Sequence, residues 1–122
     1  MRVSPNFTAA ELGNPPAHLY GNMAQLADAL ETVRARVKRP IHVNSGYRDP
    51  AKNSQVGGSN TSAHMWAHAA DFHVEGLTPK RLAKEAEASL RAAGIKWDQI
   101  IIYQSHVHLG LGSRQREQVF AA

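Results

Sequence analysis

Residues 44–74, NSGYRDPAKNSQVGGSNTSAHMWAHAADFHV, constrain this chain more than any other stretch. Three His, two Asp, one Arg and three Gly fall within it, and a dozen of its positions carry no hydrophobic period. Such a segment makes a poor core. It reads as a long functional loop that ends in a short strand. The rest of the chain must then build a scaffold that holds it. Its polar groups have a counterpart much later, at His106 and His108 in SHVHLGL.

The scaffold is legible in the apolar spacing. Over residues 21–37, Met23, Leu26, Leu30, Val33 and Val37 recur at three and four, which predicts an amphipathic helix. Thr78-Pro79 opens a second helix, with Thr as cap and Pro at the first helical position, and Gly94 closes it. Its buried stripe is Leu82, Ala86, Leu90 and Ala93. Ahead of both, Phe7-Thr8-Ala9-Ala10-Glu11-Leu12 has the form of a capping box and predicts a short helix ended by Gly13 and Pro15-Pro16. Strands are expected at residues 41–43, 69–74, 99–103 and 106–111. His42 is expected on an exposed face, Asp49-Pro50 in a turn, and the tail at 113–122 helical or frayed. The order helix, helix, strand, loop, strand, helix, strand, strand favours an α+β fold. It predicts a small, mainly antiparallel sheet with helices packed on one face.

The totals narrow the chemistry. With 122 residues, one domain covering 1–122 is expected. Cysteine is absent, which removes disulfides and thiolate metal sites. A metal must then sit on imidazole and carboxylate, a donor set that suits zinc. A net charge of +4 is mild, and the basic residues form no stripe interleaved with aromatics, so no nucleic-acid partner is expected. No apolar run reaches the ~18 residues of a membrane span. The N-terminal residues lack the apolar core of a signal peptide.

A hydrolytic zinc needs about three N or O ligands and an open position. His64 and Asp71 lie seven apart, too far for one ion on a continuous helix but convergent if a turn separates them and Asp71 sits on a strand. His108, from a distant strand, supplies a third ligand. The competing pair is His64 with His68, spaced as in the helical H-E-x-x-H signature, but His64-Met65-Trp66-Ala67-His68 lacks its Glu.

These residues resemble the zinc D-Ala-D-Ala carboxypeptidase family, which includes phage endolysin L-Ala-D-Glu peptidases, vancomycin-resistance dipeptidases and the Hedgehog signalling domain fold. Its signature is S-x-H-x-x-G-x-A-x-D. Ser62, His64, Ala69 and Asp71 fit it, with Ala67 where Gly is usual. Ser45-Gly46-Tyr47-Arg48 is similar to the family's S-G-[YF]-R element, Asn53 and Val56-Gly57-Gly58 to the loop after it, and His106-Val107-His108 to its closing H-x-H. The likeness covers nearly the whole chain, with the motifs in the family's order.

The resemblance implies a Zn2+ held by His64, Asp71 and His108. It implies that Arg48 and His106 are catalytic, with Arg48 and Ser62 touching substrate. For Arg48, a planar and permanently charged fork suits a carboxylate or an oxyanion, though a structural ion pair to Asp49 or near Asp71 is the plainer use. For His106, a solvent-facing imidazole is the plainer alternative. The family usually carries an acid three residues before its last ligand, as general base. That position is Ser105 here, which cannot take a proton at neutral pH. Either His106, Asp98 or His73 serves instead, or the metal-bound hydroxide acts with little help, or the protein binds without cutting.

The implied function is zinc-dependent hydrolysis of peptide bonds in bacterial peptidoglycan, by a monomer of the carboxypeptidase or endolysin type. It would be made in the cytoplasm and act on the wall after release or as part of a phage particle. The alternative is a catalytically silent metal- or wall-binding module on the same fold.

Overall fold

The computed structural model describes residues 1–59 and 62–122. Its elements run β1 (Arg2–Ser4), β2 (Phe7–Thr8), a 3-10 turn (Ala17–Leu19), α1 (Tyr20–Val37), β3 (His42–Ser45) and α2 (Pro50–Gln55). A second 3-10 turn (Ala63–Trp66) follows, then β4 (Ala69–His73), α3 (Pro79–Ala93), β5 (Gln99–Ile102), β6 (Val107–Gly110) and β7 (Gln118–Ala121). The main sheet has the order β3-β4-β6-β5-β7. Every neighbouring pair is antiparallel except β5 and β7. The fold is α+β, as the order of apolar periods predicts.

Helix α1 buries the expected stripe: Met23, Leu26, Leu30 and Val33 are all sealed from solvent. It ends at Lys38, whose left-handed backbone lets its amide return to the Arg34 carbonyl at 2.8 Å. In α3 the Thr78 hydroxyl accepts from the Arg81 amide at 3.2 Å, Pro79 fills the first turn, and Gly94 caps the end at φ 71°. Both helices share one core with Ala70, Phe72, Val107, Leu109 and Ile100, which are the inward alternation of β4, β6 and β5. The opposite alternation of these strands carries Asp71, His73 and His108. This polar face is where the chemistry sits.

Three local expectations are corrected. Residues 7–12 form no helix: Phe7–Thr8 pairs with β1, and a single turn follows. The capping box is nevertheless made, with the Thr8 amide donating to Glu11 at 3.0 Å and the Glu11 amide to the Thr8 hydroxyl at 3.2 Å. The turn stops because Gly13 and Asn14 both take positive φ, ahead of Pro15. One turn fixes several dihedrals for few bonds, so a cap alone cannot propagate a helix.

Asp49-Pro50 is not a loop turn but the start of α2. The Asp49 carboxylate accepts from the Lys52 amide at 2.7 Å, and Pro50 occupies the first helical position. The tail is neither helical nor frayed. Residues 118–121 form β7, parallel to β5 with Ile100 beside Val119.

Candidate metal centre

Asp71 and His108 meet because β4 and β6 pair in a register that sets them directly opposite. The Asp71 Oδ1 lies 2.9 Å from the His108 Nδ1. His64 arrives from the 3-10 turn at Ala63–Trp66, whose first free amide is capped by the Ser62 hydroxyl at 3.2 Å. Ala67 then adopts a left-handed conformation at φ 55°, which reverses the chain into β4 and brings the His64 Nε2 to 3.3 Å from the same Asp71 oxygen. A left-handed residue is what glycine accommodates best. Ala67 stands at the signature position where Gly is usual.

His64 and Asp71 are held by a second layer. His64 is 2 % exposed, and its Nδ1 donates to the Gly46 carbonyl at 2.7 Å. A carbonyl only accepts, so this bond fixes the tautomer and leaves Nε2 facing Asp71. The Arg48 amide donates to the His64 carbonyl at 3.0 Å. The Arg48 guanidinium reaches the second Asp71 oxygen at 3.3 Å, the Ser45 hydroxyl at 3.2 Å and the Asn53 carbonyl oxygen at 3.4 Å. Asn53, itself buried, donates to the Ser59 carbonyl at 2.7 Å. The two oxygens of Asp71 are thus divided, one toward the imidazoles and one toward Arg48. Burial opposes ionisation of Asp71, but hydrogen bonds from His108 and then His64, with their charge effects, hold its carboxyl well below the usual range.

The donor set fits a zinc ion. His64, Asp71 and His108 each offer one atom, all within 4.8 Å of one another. Two donors about 2.0–2.1 Å from a tetrahedral zinc sit roughly 3.3 Å apart, close to the two contacts of Asp71. The trio lines a cleft of about 840 Å³, which leaves one side open. The pair of His64 and His68 is not assembled. Ala67 breaks the helical geometry it needs, and the His68 Nε2 is bonded to the Gln25 side chain at 2.7 Å.

The other residues singled out by the sequence are placed as follows. Ser62 lines the cleft with its hydroxyl on the His64 amide. His106 lies just before β6, stacked on the cleft-lining Tyr103 with ring centroids 4.7 Å apart, its Nδ1 3.1 Å from the Ser105 hydroxyl. His73 shares the face of Asp71 but lies outside the cleft lining, bonded to Asn44 at 2.9 Å and stacked on His42 at 5.1 Å. His42 is exposed as expected, yet it has a neighbour the sequence did not reveal.

Asp98 is locked. Arg116 grips it with Nε at 2.8 Å, Nη2 at 2.9 Å and its amide at 3.1 Å. The side-chain bonds from Arg116 hold its carboxyl below the usual range against the effect of burial, which makes it a poor base. A carboxyl depressed on folding stabilises the fold above its unfolded pKa, and that stability is lost as pH falls through the folded value. Asp98→Asn is therefore expected to lower stability at neutral pH and flatten its decline below about pH 4, near the ordinary Asp value. Denaturant melts at pH 7 and pH 3 check this, and an unchanged acid limb would contradict it.

Reasoning from the sequence missed the Gly46 carbonyl as a support for His64. It also missed Trp66, which is 56 % exposed at the cleft. A Trp inside a polar loop was the available signal for the second; a backbone carbonyl leaves none.

Comparison with known proteins agrees with this geometry. A family model described as Peptidase M15 matches residues 5–110. The zinc D-Ala-D-Ala carboxypeptidase of Streptomyces albus G is 39% identical over 78 aligned positions. That match covers 55% of this chain and 31% of the Streptomyces protein, so the similarity spans about a third of the relative's length.

Proposed function

Because the chain belongs to the peptidase M15 family, we propose that it is a zinc-dependent peptidase acting on the stem peptides or cross-links of bacterial peptidoglycan. The observation that carries this reading is the convergence of His64, Asp71 and His108 on the floor of an open cleft. Zinc bound by these three would supply Lewis acidity, polarising a carbonyl and acidifying water. The chain's own residues do the rest. Gly46 and Arg48 fix the ligands in place from behind. Arg48 and His106 are assigned to the negative charge that grows on the carbonyl oxygen, and Ser62 to the cleft wall that receives substrate. Among the described residues the cleft-lining carboxylates are Asp71 and Asp98, both already engaged. Proton transfer is then assigned to an imidazole, that of His106, which stacks on the cleft-lining Tyr103.

Ser105 favours a second reading, a silent metal- or wall-binding module, because no acid stands where the family usually has one. One experiment separates the two. Zinc-loaded protein is incubated with purified peptidoglycan, and new amino groups and free D-Ala are measured. The peptidase reading expects release by the wild type and none by His64→Ala, which loses the metal. It expects His106→Ala to keep its zinc while kcat falls about 100-fold. No release by zinc-loaded wild type across several wall chemotypes would leave the silent module. The products distinguish carboxypeptidase from endolysin-type cleavage.

A further inference from the structure

The cleft that holds the metal trio extends to a second set of charged groups, Asp98, Arg114 and Arg116. The backbone between them, at the end of β6 and just past it, carries two glycines, with the His108 ring lying over the first. On β6, Gly110 follows His108 by two residues, about 7 Å along a strand, on the same face. A Cβ at Gly110 would sit 3.1 Å from the His108 Nε2. Gly112 comes next, and a Cβ there would lie 3.4 Å from that of Asp98. Two positions without side chains thus connect the last metal ligand to the Asp98 cluster.

Within that cluster the charges do not cancel. Arg116 and Asp98 neutralise each other in a two-pronged pair. Arg48 and Asp71 are paired at the metal end. Arg114 is paired only loosely. Its nearest carboxylate oxygen, on Asp98, is 3.9 Å away, and its side chain is 64% exposed. The bend that presents it is held rigidly. The Arg116 amide is bonded to Asp98, the Glu117 amide to the Trp97 carbonyl, and Gly112, Gln115 and Glu117 all take positive φ. Two non-glycine residues in that region store strain the surrounding bonds must hold.

We propose that Arg114 is a specificity residue that binds a carboxylate of the substrate at least two residues from the scissile bond. The distance decides which carboxylate. The Asp98 amide is bonded to the Gly110 carbonyl at 2.8 Å, so the cluster begins about 7 Å from His108, and an extended peptide advances about 3.4 Å per residue. An internal side-chain or α-carboxylate of a branched or γ-linked residue, about two residues from the scissile bond, spans that length. Of the other two arginines of the cleft, Arg116 is paired with Asp98, and Arg48 has its fork turned to Asp71, Ser45 and Asn53. This inference rests on the peptidase reading for the identity of the substrate but not for the contact itself.

The test uses zinc-loaded full chain and two synthetic stem peptides that differ only in whether the internal carboxylate is free or amidated. Wild type is expected to favour the free acid about tenfold, through KM and not kcat. Arg114→Gln should lose that preference by weakening the free acid alone, and Arg114→Lys should restore part of it. Calorimetric binding of the same peptides reads the contact independently of turnover. If neither peptide is cut yet the acid still binds tighter in an Arg114-dependent way, the peptidase reading fails and this inference stands. If wild type treats acid and amide alike, or Arg114→Gln keeps the preference, the inference is overturned whatever the activity.

Discussion

Asp71→Asn is expected to strip the protein of zinc and of hydrolysis together, with the fold weakened but intact. One Asp71 oxygen faces both imidazoles, at 2.9 and 3.3 Å, and the other takes the Arg48 guanidinium at 3.3 Å. Asn keeps the shape and removes the charge. Turned to Arg48, its amide nitrogen sets donor against donor; turned to the imidazoles, it offers the metal no lone pair. The loss of one ligand in three should exceed the roughly 10- to 100-fold drop in metal affinity typical of losing a supporting group. In the metal-free state, an Arg48 left beside a neutral partner should cost about 1–3 kcal/mol.

Wild type at zinc about 1,000-fold over its dissociation constant gains about 4 kcal/mol, so chelation should lower its melting temperature by several degrees. Asp71→Asn should melt at one temperature with or without zinc. A variant that still shows the zinc-dependent shift would mean that the metal sits elsewhere.

Gly46→Ala should damage fold and site at once. Its added Cβ would lie 2.4 Å from the Leu12 carbonyl oxygen and 2.6 Å from the carbonyl carbon. These are backbone atoms, and they cannot rotate away. Leu12 is buried, and its carbonyl accepts from the Tyr47 amide at 2.8 Å, so the amino-terminal turn is tied to the segment it would have to leave. Forced separation should cost about 1–3 kcal/mol, on the order of 5 °C in melting temperature. The carbonyl displaced is the one that orients His64, and so zinc affinity should fall about 10- to 100-fold in the same variant. Gly21→Ala is the control. It lies in α1 with nothing near its absent Cβ, and it should stabilise by up to about 1 kcal/mol. If Gly46→Ala melts like wild type and binds zinc equally well, the supporting role assigned to this backbone is wrong.

What the sequence disclosed follows the physics of each element. Long apolar stripes with paired caps, as in α1 and α3, declare themselves because every turn repeats the same evidence. The convergence of His64, Asp71 and His108 was inferable from alternation and spacing, since a strand places Asp71 opposite some partner and the distant H-x-H offered one. Strand β7 was not inferable. Four residues carry too little period, and its partner β5 is reached only across a bend of positive-φ residues. Residues 7–12 misled because a capping box marks where a helix can start and carries no information about whether it continues. For Arg48 the sequence left two uses open, a fork facing substrate and a structural ion pair near Asp71, and the ion pair is made. Its bonds run to Asp71 on β4, Ser45 on β3 and Asn53 on α2, and the last depends on a helix that the Asp49-Pro50 pair signals only to a reader expecting one there.

The most direct measurement is an anomalous-scattering map at the zinc edge, from crystals of protein purified without chelator. The account predicts one strong peak about 2.0–2.2 Å from the His64 Nε2, an Asp71 carboxylate oxygen and a ring nitrogen of His108. A map with no peak there, or with zinc held only by a surface pair such as His42 and His73, would contradict it.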